Sequence, residues 1–291
     1  MKKLLCCLLI LAVLSAPVAL ADIGTRLRVS RCDEYITLRE APSTSSAALA
    51  RMPLGAKVDE LYGVDDGFMC VCYQGKTGYA LSKYLTEADN YEGETVNPTD
   101  KQRYNINLFL SNFTEAGFML NGCYDASYED SAALTVFGIE HCWFNRPNSV
   151  EWGEYFDGNN VRVSEDAISS VVKKYFGISR FKPDHSHVPH DYRKGYYYWQ
   201  ETGGNTKMGF ACLHNVEKLG HNRYSVWFNI FNMGNHWDND VCYYKTWEAE
   251  EAYPTDGFIP QGRAVIDVGS GGLGDRSDWK LVRYAVANDY E

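Results

Sequence analysis

Between Val29 and Leu85 the chain runs as a series of short strand-like stretches, each closed by residues that cannot extend a central strand. Tyr35–Arg39 alternates apolar and polar side chains, and Ala41-Pro42-Ser43-Thr44-Ser45-Ser46 breaks it. Pro53-Leu54-Gly55 turns the chain into the next strand. Phe68–Tyr73 is then turned by Gln74-Gly75 into Lys76–Ala80, with Gly75 where a tight hairpin needs a positive φ. Leu81-Ser82-Lys83-Tyr84-Leu85 closes the unit. Short strands with unpaired edges are stable when the sheet curls on itself, so residues 22–87 are expected to form a small all-β barrel.

The run Ile36-Thr37-Leu38-Arg39, Pro42-Ser43-Thr44-Ser45, Pro53-Leu54-Gly55-Ala56-Lys57-Val58, Gly67-Phe68 and Tyr73-Gln74-Gly75-Lys76-Thr77-Gly78-Tyr79 resembles the bacterial SH3 (SH3b) domain family over residues 24–87. The resemblance implies an SH3-like barrel that targets a partner domain to peptidoglycan peptides. Phe68 stands where the family usually has tryptophan, and Cys70 and Cys72 stand where polar residues are commoner. Aromatic side chains with a polar tip suit shallow peptide grooves, which makes Tyr35, Phe68, Tyr73 and Tyr84 the candidate ligand contacts. Packing in the barrel is the competing role for each.

Lys2 and Lys3 precede an apolar run from Leu4 to Leu14, and Ala19-Leu20-Ala21 offers the small residues of a cleavage site. Residues 1–21 therefore read as a secretory signal peptide, and the mature protein is expected to be secreted or cell-wall-associated. Loss of the two lysines takes the formal charge from -10 to -12. An acidic chain of this kind is not expected to bind nucleic acid, which demands a basic surface.

Nine cysteines less Cys6 and Cys7 leave seven, an odd number for an exported protein. Cys70 and Cys72 lie two apart on one strand and share a face, so they are not expected to bridge each other. Cys32 is the expected partner of one of them.

Residues 88–102, with Glu92, Glu94 and Asp100 beside Gly93 and Pro98, read as an acidic linker. Beyond it, residues 103–291 read as an α+β domain, with helices packed on a curved antiparallel sheet. Tyr104–Phe113 is apolar-rich, with Ser111-Asn112 read as a break, and Tyr128–Phe144 has helical spacing. Ser164 caps a helix over Glu165–Phe176, Lys173 and Lys174 suit its end, and Gly177 stops it. Gly195–Thr202, Met208–Val216, Arg223–Phe231, Ala264–Val268 and Trp279–Ala287 read as strands. Tyr104–Phe113 and Lys174-Tyr175-Phe176-Gly177 resemble uncharacterised domains that follow SH3b modules in secreted proteins of clostridia-like bacteria; no activity comes with that resemblance.

His185, His187 and His190 with Asp184 and Asp191 form the one histidine cluster, but their spacing matches no helix-borne ligand set and an exposed loop is expected, with no metal. His141-Cys142 are neighbours about 100° apart on a helix and cannot act as a nucleophile and base pair. Cys142 with His214 or His221 is a remaining thiol option. Gly269–Asp275 lies between two strands rather than before a helix, so it reads as a turn and not a phosphate loop. Trp237–Asp240 has some calcium-ligand character, Asn112-Phe113-Thr114 matches a glycosylation acceptor, and Tyr196–Trp199 could offer aromatic faces to a sugar.

The expected architecture is multidomain: a small SH3-like barrel followed by an α+β domain. The expected function is non-catalytic, with no cofactor: the barrel binds cell-wall peptide or peptidoglycan, and residues 103–291 bind a ligand or a protein or glycan partner. The alternative is a peptidoglycan or glycan hydrolase with an unrecognised active site in residues 103–291.

Overall fold

The computed structural model describes residues 24–88, 93–120, 122–155, 158–202, 209–231, 242, 244–252 and 261–287. The expected signal peptide and Trp237–Asp240 lie outside them.

Seven short strands build the N-terminal sheet: β1 (Arg26–Val29), β2 (Tyr35–Arg39), β3 (Ala48–Pro53), β4 (Lys57–Gly63), β5 (Phe68–Tyr73), β6 (Lys76–Leu81) and β7 (Leu85–Glu87). They pair in the order β3-β2-β6-β5-β4-β1-β7. The β5–β6 hairpin turns on Gln74 and Gly75, at φ 51° and 75°, the two left-handed residues that match a two-residue loop to the twist of its strands. Gly78 meets a different need, because a Cβ there would lie 2.6 Å from the Arg39 carbonyl oxygen of β2. Leu27, Val29, Ile36, Leu38, Met52, Val58, Val71, Ala80 and Leu85 form this sheet's own core.

The stretch read as a linker contributes β8 (Glu94–Thr95), which pairs with the far end of β14 (Phe210–Gly220). It also supplies Thr99, whose hydroxyl and backbone exchange hydrogen bonds with Gln102 in a capping box that starts α1 (Asp100–Glu115). α1 runs through Ser111 and Asn112, so the expected break there is corrected. Its polar side chains serve as partners for the edge of β14 that no strand covers among the described residues. Asn107 Oδ1 accepts from the Leu213 N–H and Ser111 Oγ from the Ala211 N–H, while the Thr114 hydroxyl donates to the Gly209 carbonyl. A buried strand edge would otherwise leave orphaned backbone groups. Asn112 is buried and hydrogen-bonded to Leu108 and Tyr175, which removes it as a glycosylation acceptor.

β14, β15 (Arg223–Phe231), β16 (Gln261–Asp267) and β17 (Lys280–Ala287) lie side by side, with β9 (Gly122–Asp125) beyond β17, giving the order β8-β14-β15-β16-β17-β9. The glycine run Gly269–Gly274 forms a 3-10 turn between β16 and β17, whose Leu273 and Gly274 carbonyls accept from Asn105 of α1. α2 (Ser131–Asn145) and α3 (Glu165–Phe176) pack closely, because at Gly138 a Cβ would sit 2.6 Å from Ile168 Cγ2. Ser164 caps α3 by accepting from the Ala167 N–H, and Gly177 ends it at φ 76°. A second sheet of β10 (Val150–Trp152), β11 (Val161–Ser164), β13 (Tyr196–Trp199) and β12 (Asp191–Arg193), in that order, flanks these helices. α4 (Thr246–Ala252) lies against β14.

One core joins α1, α2 and α3 to both C-terminal sheets, with Phe113 stacked 5.1 Å from Phe137 and edge-on to Tyr175 and Phe176 at 5.5 and 5.7 Å. Alternation along β17 divides its duties: Tyr284 and Val286 face this core, while Ala285 and Ala287 meet Leu61 and Cys70 of the N-terminal sheet. The contact is reinforced covalently. Cys72 of β5 is disulfide-bonded to Cys123 of β9, and Cys32 carries a free thiol, which corrects the expected Cys32 pairing. Buried Asp59 lies between Arg26 and Arg283, and Arg26 also donates to Asp125 at 2.5 Å.

Candidate functional site

Three of the four aromatic residues singled out in the sequence meet at one cleft of about 640 Å3, within the size range of about 300–1,000 Å3 usual for ligand pockets. Tyr35 opens β2, Phe68 opens β5, and Tyr84 sits in the 3-10 turn between β6 and β7. Phe68 and Leu81 are direct register partners, so the cleft forms where β5 and β6 meet the loops. Phe68 is buried and forms part of the cleft wall, whereas Tyr35 is 40% exposed, its ring covered on one side by the Arg51 guanidinium at 4.8 Å. The Lys83 ammonium lies 4.8 Å from the Tyr84 ring.

Tyr73 does not join them. Side chains five apart on a strand point to opposite faces, so Tyr73 follows Met69 and Val71 and packs against the core of the N-terminal sheet. Residues not anticipated complete the cleft: Arg31, Cys32, Asp33 and Glu34 from the loop before β2, with Arg39 behind them. Arg31 holds a left-handed φ of 55°, and Arg39 is fixed by donating to the Ser46 carbonyl at 2.7 Å. The run of charged residues beside Tyr35 was the available signal for this loop. Acids, bases and exposed aromatic edges in one cleft suit a short peptide carrying both charges.

The other candidates are placed differently. His187 Nδ1 lies 3.0 Å from Asp184, and His185 stacks 3.6 Å from Tyr192. His190 turns away to Trp199, so the three histidines are engaged with separate neighbours. No group of three metal-ligating residues exists among the described residues. Cys142 is fully buried, and burial pushes its thiol up to about 11, the opposite of an activated nucleophile. On β13, Tyr197 and Tyr198 are buried and Tyr196 and Trp199 half-buried.

Two solved structures are similar to parts of the chain. NlpC2 from Trichomonas vaginalis is 12% identical over 81% of this chain and 71% of its own, at a TM-score of 0.21. NlpC1 from the same organism is 13% identical over 65% of this chain and 60% of its own, also at 0.21. Likenesses at that score establish no shared fold. No curated protein matches the chain. Residues 34–86 match the model of the bacterial SH3 domain family, a stretch that runs from the approach to β2 into β7 and holds Tyr35, Phe68, Tyr73 and Tyr84.

Proposed function

We propose that this is a secreted, cell-envelope-associated protein whose SH3 domain binds the peptide stems of peptidoglycan. The observation that carries this reading is the convergence of Tyr35, Phe68 and Tyr84 with Arg31, Asp33 and Glu34 on one cleft of the SH3 sheet. Peptide stems combine apolar side chains, free carboxylates and amines. Exposed aromatic edges and side chains of both charges supply the matching contacts.

The reading divides the chain into a signal peptide at 1–21, an SH3 domain at 22–87, a connecting segment at 88–102 and an α+β domain at 103–291. Separate hydrophobic cores in the first sheet and in the helix-containing region support that division. The α+β domain acts as a ligand- or partner-binding module fixed to the SH3 domain by the Cys72–Cys123 bond.

Co-sedimentation of the full chain with purified peptidoglycan tests the proposal. The protein should pellet with the wall material, and Tyr35→Ala should shift it to the supernatant. A wild-type chain that stays entirely in solution contradicts the docking role. Release of soluble wall fragments during the incubation would instead favour a hydrolase.

A further inference from the structure

Outside the SH3 cleft, the edge of the four-stranded sheet carries an aromatic corner. Register partners Trp152 on β10, Val161 on β11 and Trp199 on β13 form one row across the sheet, and directly paired residues share a face. Trp143, in the last turn of α2, closes the row. Its ring is 5.2 Å from Trp152 at 45° and 5.5 Å from Trp199 at 80°. Trp143 and Trp199 are half-buried and packed against the core, whereas Trp152 is 61% exposed. The result is one open indole backed by two fixed ones.

Hydrogen-bonding groups adjoin the rings. Glu140 stands three residues before Trp143 and so on the same side of α2, with its carboxylate 3.8 Å from His190 Nε2. The His190 side chain is only 9% exposed and lies edge-on to Trp199 at 5.5 Å. Its Nδ1 is buried with no hydrogen-bond partner among the described residues. Burial lowers the His190 pKa to about 4, so the ring is neutral at neutral pH, and burial together with Glu201 raises that of Glu140. A buried polar atom without a partner is costly, so His190 is held at this corner against a penalty, with its Nε2 rather than its shielded Nδ1 toward Glu140.

We infer that Trp143, Trp152, Trp199, Glu140 and His190 form a carbohydrate-binding site that takes a segment of neutral, hydroxyl-rich pyranose rings, with one sugar face lying on Trp152. A pyranose presents an apolar C–H face and a rim of hydroxyls. The face matches an open indole, and the rim needs hydrogen-bonding groups beside it, which the Glu140 carboxylate supplies with the neighbouring Nε2 of His190. An organic cation would also be drawn to indoles and a carboxylate, but a cage for it needs several open ring faces. Here one ring is open, which is a platform. The inference concerns the C-terminal region and stands independently of peptide docking in the SH3 cleft.

Titration of the full chain with the peptide-free tetrasaccharides chitotetraose and cellotetraose, followed by tryptophan fluorescence, tests it. A saturable change is expected with at least one of them. Trp152→Ala should keep the circular dichroism spectrum and weaken binding about tenfold or more. Glu140→Gln should weaken it less, and Tyr35→Ala in the SH3 cleft should leave it unchanged. No saturable change with either sugar at millimolar concentration overturns the inference, as does equal binding by the wild type and Trp152→Ala. A response to tetramethylammonium without one to sugar also overturns it, assigning an organic-cation site. Failure of sugar binding with wall sedimentation intact would leave the peptide-docking proposal standing.

Discussion

The two halves of the molecule solve the problem of burying backbone in different ways. The N-terminal sheet pairs its strands with one another over a small aliphatic core, and its buried acid, Asp59, faces the neighbouring region. The C-terminal region instead buries a helix whose Asn105, Asn107, Ser111 and Thr114 hydrogen-bond to strand and loop backbone. Aliphatic residues of similar volume are exchangeable in the first arrangement. In the second, each amide or hydroxyl has an assigned partner, and losing it strands that partner.

Mutations should expose this contrast, the largest effect coming from the aromatic core. Phe113→Ala removes a fully buried ring in contact with Phe137, Tyr175 and Phe176, and should cost roughly 3–5 kcal/mol in urea unfolding. Val71→Ile in the N-terminal sheet, a change of one methylene, should cost about 1–3 kcal/mol by overpacking. Asn107→Leu keeps the branching of the side chain but leaves the Leu213 N–H and the Cys242 and Tyr244 carbonyls without it, so about 3 kcal/mol is expected. A cost near zero there would show that α1 does not substitute for a strand along β14.

The junction carries an effect of similar size. Replacing Cys72 and Cys123 together by serine should lower stability by roughly 2–4 kcal/mol in the same assay, because the bond closes a long loop. The smallest effect concerns pH. Burial opposes ionisation of Asp125, but hydrogen bonds from Ser127 and the charge of Arg26 prevail and hold its pKa below the ordinary value. A carboxylate depressed in the folded state contributes fully above its unfolded pKa, and the contribution is lost as pH falls through the lower folded value. Acid titration of stability should therefore steepen below about pH 4, and Asp125→Asn should flatten that limb.

Local chemistry was readable in the sequence wherever neighbours along the chain decide the outcome. Ser164, Lys173, Lys174 and Gly177 bound α3, and Gln74-Gly75 sets the β5–β6 turn. Residues 34–86 were legible as an SH3 domain for the same reason. Ser111-Asn112 misled, because polar residues inside an apolar run normally compete with helix; Ser111 serves the edge of β14 and Asn112 accepts from the Tyr175 hydroxyl, and both partners are distant in sequence. The Cys72–Cys123 bond joins residues 51 apart and depends on how the two sheets meet, which no local pattern records. In the cleft, strand parity alone separates Tyr73 from Phe68, whereas the approach of the Arg31–Glu34 loop to Tyr84 is tertiary.

Calorimetric titration of a soluble, glycan-free stem peptide into the full chain tests the central claim most directly. Binding should be saturable, weakened about tenfold by Tyr35→Ala and unaltered by Tyr73→Ala, whose side chain lies outside the cleft. Absence of heat with the wild type, or equal loss from both substitutions, would contradict the assignment of the Tyr35, Phe68 and Tyr84 cleft as the wall-peptide site.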